Sequence, residues 1–265
     1  MKRHRALRRL PAHRQPYLMR VLNTRRGNLV AYWPLAELSG STAYDLSPQG
    51  NHGVYAGAGV SLGAVGIGDG RAAAQFDGSD TRVQTGSPAF AADWDGDLFS
   101  LIAWGVVDSA ARWTDAATYR YLVHIRSSLD GTYYTVIGKN TANHQLEWRR
   151  RTGGAIVSTT HTFNPSGPLG WFCMGMTFDI TGSEILGPLL KFFLNDRTDG
   201  WRVLGESNSV ALTAWGANPP DNPSSTLLGA GSSTLQEWIG CIAHAAVWNA
   251  ALSEAEMRRV MTLGE

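Results

Sequence analysis

Acidic side chains are the first place to look for chemistry, and their densest cluster is Asp93-Trp94-Asp95-Gly96-Asp97. Hydrolysis of a glycosidic bond needs an acid and a nucleophile or base on either side of it. These aspartates instead sit among turn residues ahead of a strand, and no second group is placed to complete such a pair. They also imitate the start of a calcium loop, which alternates oxygen ligands before a glycine and a late glutamate. Leu98 stands at the glycine position and Trp104 at the glutamate position, so an EF-hand is excluded. A solvated turn is the stronger reading of Asp93, Asp95 and Asp97, and a non-standard calcium site the weaker one. No other cofactor is expected.

Nucleophilic and metal chemistry fare no better. The seven histidines are scattered without metal-ligand spacing. No Gly-x-Ser-x-Gly elbow presents a serine. Cys173 and Cys241 are too few for a zinc site or a disulfide framework and read as small apolar side chains. The glycines of residues 57–70 lack the strand and helix of a nucleotide-binding unit. Ser128-Leu129-Asp130-Gly131-Thr132 reads as a hairpin turn. No enzymatic activity is therefore expected. Binding residues are easier to nominate. Trp94, Trp113, Trp201 and Trp215 lie in or near predicted loops, where they either stack on sugar rings or anchor a protein interface, or else fold back into the core. Arg149-Arg150-Arg151 reads first as a solvated hairpin tip before Thr152-Gly153-Gly154, and second as a contact for an acidic partner.

The elements that would carry these residues are mostly strands. The chain of 265 residues has 30 Gly, 11 Pro, 10 Trp and only 17% charged residues, a composition that suits a loop-rich β protein. From Asn28 onward, short apolar runs alternate with Gly, Pro, Asn and Asp, the rhythm of a sandwich or barrel. Leu98 to Val107 is apolar at both parities, which predicts a central strand covered on both faces. Between Trp171 and Phe178, the larger residues Phe172, Met174, Met176 and Phe178 alternate with smaller ones, which predicts a half-buried strand. Only the end changes period. There Ser253 and Glu256 form a capping-box pair and Leu252 and Met257 a hydrophobic staple, so a short helix is expected to begin at about Glu254.

Charge divides the chain in two. Residues 1–26 hold nine of the 23 cations and none of the 22 acids, so residues 27–265 carry 14 cations against 22 acids, a net of −8. The arginines are Arg3, Arg5, Arg8, Arg9, Arg14, Arg20, Arg25 and Arg26. Such an arm suits an acidic protein surface. Nucleic acid is disfavoured, because no stacking platform or reading helix accompanies the charges. The arginines also interrupt any apolar core of a secretory signal, and no stretch is long and apolar enough to predict a membrane-spanning helix. Two units follow: a basic N-terminal arm at 1–27 and a β-sandwich at 28–265.

Within the second unit an ordered series of segments resembles the laminin G-like, concanavalin A-like jelly-roll superfamily. It runs through Val30-Ala31-Tyr32-Trp33-Pro34-Leu35, the stretch Asp45 to Gly53, and Ala74-Gln75-Phe76-Asp77-Gly78. Phe99 to Trp104, Trp171 to Asp179, Lys191-Phe192-Phe193-Leu194-Asn195 and Trp238-Ile239-Gly240 follow, and Val247-Trp248-Asn249-Ala250-Ala251-Leu252-Ser253 closes it. The resemblance implies an all-β, two-sheet antiparallel jelly-roll sandwich, with the basic arm extended from it and a short helix at its C-terminal end. Members of this superfamily include lectins, matrix proteins, sialidase appendages and bacteriophage virion proteins, and the fold does not choose among them. Glucan-hydrolysing relatives carry Glu-x-Asp-x-Glu on one strand, and nothing here matches it. Some relatives bind calcium near the rim, where many carry acids at the positions held here by Ala243 and His244.

Sequence and resemblance together lead to an expectation of a non-enzymatic structural protein of a viral particle, bacteriophage in type. It would be a decoration, tail or fibre component in a larger assembly, fixed to other virion proteins by its arm and displaying the sandwich for adhesion. The rival expectation is a soluble, lectin-like carbohydrate-binding module that takes a cell-surface glycan.

Overall fold

The computed structural model describes residues 16–115, 118–127, 131–164, 167–182, 184, 189–208, 214–215, 219–222, 224–231 and 236–263. In chain order the strands are β1 (Leu29–Trp33), β2 (Thr42–Ala43), β3 (Gly53–Ala56), β4 (Ser61–Val65), β5 (Ala72–Asp77), β6 (Arg82–Gln84), β7 (Leu98–Val107) and β8 (Arg120–Arg126). They continue with β9 (Tyr134–Lys139), β10 (Gln145–Thr152), β11 (Ala155–Thr162), β12 (Phe172–Asp179), β13 (Leu189–Asp196), β14 (Gly200–Asn208), β15 (Thr226–Leu228) and β16 (Ile239–Trp248). They pair into two eight-stranded sheets. Sheet 1 runs β14-β13-β12-β7-β16-β5-β4, with β1 also on β16, and sheet 2 runs β11-β10-β9-β8-β15-β6-β3-β2. The described pairs are antiparallel, so the predicted sandwich is the fold. As in other sandwiches, the facing sides of the sheets supply the core. Trp33, Phe99, Leu101, Trp148, Phe172, Met174 and Trp238 all belong to it.

Sheet 1 is covered on its outer side as well. A second cluster packs Ile102, Trp104, Cys173, Phe193 and Trp248 beneath two short helices, Tyr17–Asn23 and Glu254–Met261. This cover accounts for β7, whose expected double burial is realised. It also corrects the reading of β12, in which every residue is buried rather than every second one. The small residues of β12 mark a helix packed close by. A Cβ on Gly175 would lie 2.6 Å from Met257 Cε and 2.7 Å from Met261 Sδ. The C-terminal helix starts at Glu254 as expected, with both halves of the capping box formed between Ser253 and Glu256.

The segment preceding the sandwich is the larger surprise. Where an extended arm was expected, Tyr17–Asn23 is helical and seals the outer cluster with Tyr17 and Val21. The Tyr17 hydroxyl donates to the Val260 carbonyl at 2.6 Å and accepts from Trp104 Nε1 at 2.8 Å. Burial pushes the Tyr17 phenol well above its ordinary range. Trp248 Nε1 donates to the Thr24 carbonyl at 2.9 Å. An acid-free sequence can dock here because the acids it needs come from elsewhere: Arg25 pairs with Glu256 at 2.9 Å and with Glu184 at 2.8 Å.

Candidate functional site

Most of the residues nominated from sequence serve the fold. Arg3, Arg5, Arg8, Arg9 and Arg14 lie outside the described residues. Arg20 is buried and donates to the Thr262 carbonyl, Arg25 is ion-paired within the chain, and Arg26 is exposed. Of the loop tryptophans, Trp94, Trp113 and Trp215 are 8%, 0% and 4% exposed and belong to the inter-sheet core. Trp94 and Trp215 meet edge to face at 6.0 Å, and Trp113 Nε1 donates to the Pro168 carbonyl at 3.0 Å. Trp201 stacks on Phe193 beneath the Arg258 guanidinium. The core alternative is thus the realised one for Trp94, Trp113 and Trp215. Trp113 sits in the short helix Ala111–Thr114 and Trp94 caps the helix Pro88–Asp93, while Trp201 lies in β14 rather than a loop; for the buried three, aromatic area removed from water outweighs display.

The three aspartates point to different partners. Asp93 Oδ2 accepts from Asn51 Nδ2 at 2.9 Å, Asp95 Oδ1 from the Asp97 amide at 2.9 Å, and Asp97 Oδ1 from the Trp215 amide at 2.6 Å. No group of three metal-ligating side chains converges among the described residues. None of the described helices is long and apolar enough to cross a membrane.

The arginine run proves to be strand, not hairpin tip. It lies within β10, with the turn at Gly153 and Gly154 beyond it. Alternation therefore sends its members to opposite sides. Arg150 enters the core, fully buried, with its guanidinium 4.0 Å from the Phe178 ring centre and bonded to Thr135 Oγ1 and the Gly96 carbonyl. Burial lowers its pKa to about 9. Arg149 and Arg151 take the outer face of sheet 2.

That outer face gathers phenols, an imidazole and guanidiniums within a few strand positions. Register places His124 opposite Val136 and Val136 opposite Arg149; the next row is Arg126, Tyr134 and Arg151. Tyr119 and Tyr121 extend the cluster, with ring centres 5.9 Å apart; Tyr121 lies 5.5 Å from His124, and His124 6.0 Å from Tyr134. All of these but Arg151, together with Gly131 and Gln236, line a hollow of about 160 Å³, and Arg151 lies beside it in the row of Tyr134. Beyond Arg149, strand β11 adds a shelf of exposed Ser158 and Thr160.

The polar groups are held in fixed states. Arg149 Nε donates to Glu147 Oε1 at 2.8 Å, and its guanidinium lies 5.3 Å from the Tyr119 ring centre. Burial opposes the Arg149 charge, but the bond to Tyr119 and the Glu147 carboxylate outweigh it and raise the pKa above the ordinary value. Glu147 is buried, which raises its own pKa even with Arg149 pulling the other way. His124 is 4% exposed, and burial, reinforced by the Arg126 charge, lowers its pKa to about 3. At neutral pH it is a neutral imidazole that offers one donor and one acceptor nitrogen. Its Nδ1 is buried without a hydrogen-bond partner, as is Glu147 Oε2. An unsatisfied buried polar atom costs about 1–3 kcal/mol, and of these two residues His124 lines the hollow. The arrangement suits recognition. Among the described residues no carboxylate lines the hollow, and Glu147 joins it through its bond to Arg149, so paired carboxylates for hydrolysis are not assembled by these residues. Sequence reading missed this site because it comes from alternate positions of β8, β9 and β10. The available signal was the spacing Tyr119-x-Tyr121-x-x-His124-x-Arg126 together with Glu147-x-Arg149-x-Arg151.

No protein-family model matches the chain, and no curated protein matches it. Solved structures do resemble it. Domain 4 of an extracellular arabinanase from Geobacillus stearothermophilus, in complex with arabinotriose, is 13% identical with a TM-score of 0.56, over 89% of this chain and 98% of that one. The binding domain of Paraclostridial Mosquitocidal Protein 1 is 15% identical with a TM-score of 0.60, over 89% of this chain and 52% of that one. The carbohydrate-binding domain of a Ruminococcus gnavus sialidase, bound to sialyllactose, is 12% identical with a TM-score of 0.50, over 71% of this chain and 95% of that one. At such identities the likeness is one of fold. The chain thus has a two-sheet β-sandwich, an architecture it shares with these carbohydrate-binding and toxin binding domains.

Proposed function

We propose that the chain is a non-catalytic, lectin-like carbohydrate-binding module and that the outer face of sheet 2 is its binding surface. One observation carries the reading: Tyr119, Tyr121 and Tyr134 are gathered around the buried imidazole of His124, whose Nδ1 lacks a partner. Tyrosine rings offer apolar faces to the C–H side of a pyranose while keeping a polar tip. His124, Arg149 and the hydroxyls of Ser158 and Thr160 then supply the directed bonds that fix a sugar's orientation. The structural neighbours that carry arabinotriose and sialyllactose support the same reading.

In the described part of the arm, Arg20 and Arg25 make contacts inside the chain and Arg26 is exposed, so one described arginine supports a virion component fixed by its arm. The test is glycan-array binding by the full chain and by Tyr121→Ala and Tyr134→Ala. Retained saccharides and loss of binding in both variants are expected. An array that retains nothing, or variants that bind like the parent, would refute the proposal.

A further inference from the structure

The charge on the binding face runs against the rest of the molecule. Residues 27–265 carry eight more acids than cations, yet Arg126, Arg149 and Arg151 share this face with Glu147 alone among the described residues of its three central strands. Glu147 is bound to Arg149. Among the described residues, Arg126 and Arg151 donate only to backbone carbonyls, those of Ser224 at 3.3 Å and Gly153 at 3.0 Å, and neither meets a carboxylate there. Elsewhere among the described residues Arg25, Arg82, Arg112, Arg120 and Arg202 each meet an aspartate or glutamate, while Arg26, Arg71 and Arg197 stand singly, without the row that Arg126 and Arg151 form.

Position gives the two open guanidiniums a meaning. They occupy one row of the sheet, on either side of Tyr134. Adjacent strands are about 4.8 Å apart, so the pair straddles the ring across two strand spacings, about 10 Å. That span matches a sugar ring lying over Tyr134 with a substituent reaching to either side. A guanidinium presents a planar fork of donors that fits a carboxylate or sulfate through two parallel bonds. Neutral hydroxyls would also bond there, but would leave the charge of both forks unanswered. The partially exposed state of Arg126, Tyr134 and Arg151 keeps the row open to a ligand.

Resting on the carbohydrate-binding reading above, we infer that this module selects saccharides that carry an acidic group, held between Arg126 and Arg151 over the ring of Tyr134. Carboxylate and sulfate share the required chemistry. The same row does not call for a nucleic acid, since a polynucleotide would need further cations along its track, and the neighbouring edge of the face offers Ser158 and Thr160 instead.

The test is titration calorimetry on the full chain with lactose, sialyllactose, sulfated lactose and a single-stranded oligonucleotide, at low and high salt. One or both acidic sugars should bind about tenfold more tightly than lactose, as expected for one added charge-assisted contact at a partly exposed site, and this preference should shrink as salt rises. The carboxylate and sulfate arms distinguish the source of the charge. In Arg126→Gln and Arg151→Gln the ratio of acidic to neutral affinity should fall to within about twofold, and in Arg112→Gln, away from the face, it should not change. Lactose bound as tightly as both acidic sugars would overturn the inference while leaving carbohydrate binding intact. A preference that survives in both variants would overturn its placement. Tighter binding of the oligonucleotide than of any sugar would overturn the ligand class. No binding of any saccharide, here and on the array, would instead remove the underlying reading.

Discussion

Acidification from pH 7.5 to pH 5 should cost the folded chain about 2 kcal/mol through His124 alone. An imidazole titrates near pH 6.5 in an unfolded chain, whereas His124 in the folded protein is lowered to about 3 by burial and by Arg126. The unfolded state therefore binds the proton first. The stability that His124 contributes is complete above about pH 6.5 and declines as the pH falls toward 3. Over the 1.5 units between 6.5 and 5, at about 1.36 kcal/mol per unit, the loss is about 2 kcal/mol. Urea denaturation of the parent and of His124→Gln at both pH values isolates this contribution. Glutamine occupies a similar place without titrating, and the other histidines, including the buried His244 held to Asp69 at 3.1 Å, are present in both chains and cancel. The parent should lose about 2 kcal/mol more than the variant between the two conditions. Equal losses would show that His124 is free to protonate in the folded state and would refute the account of the hollow as a desolvated recess.

Two further outcomes follow from the packing. Tyr17→Phe removes the bonds to Val260 and Trp104 and should lower stability by about 1–3 kcal/mol, the cost of leaving buried partners unsatisfied, measurable by urea denaturation. Arg150→Ala leaves the Gly96 carbonyl and Thr135 Oγ1 without their donor and opens a cavity beside Phe178; it should cost about 3–5 kcal/mol, whereas Arg150→Met, which keeps most of the volume, should recover a large part of the loss in melting temperature.

The strands and the capped helix were legible because their signals are local. A run that is apolar at both parities marks β7, and Ser253 with Glu256 marks a helix start within four residues. What failed needed knowledge of the neighbour. The parity of β12 looked half-exposed because Cys173 and Gly175 are small, yet they are small to admit Met257 and Met261. Three loop tryptophans gave no sign of whether they faced water or the sheets. Arg149-Arg150-Arg151 looked like one charged run until the strand divided it between core and surface. The binding face joins three strands whose polar positions are individually ordinary, and only their register makes a site of them.

The docking of the N-terminal helix against the C-terminal one brings both described ends of the chain to the back of the sandwich. Tyr17 touches Val260 and Arg20 touches Thr262, on the outer side of sheet 1, while Arg126, Tyr134 and Arg151 are partly exposed on the outer side of sheet 2. The molecule is therefore two-sided with respect to attachment. A label carried by an exposed residue of either helix, Asn23 or Arg259, lies behind the sandwich, with both sheets between it and the proposed binding face. A sensor surface coupled through either of these residues would present that face toward the solution.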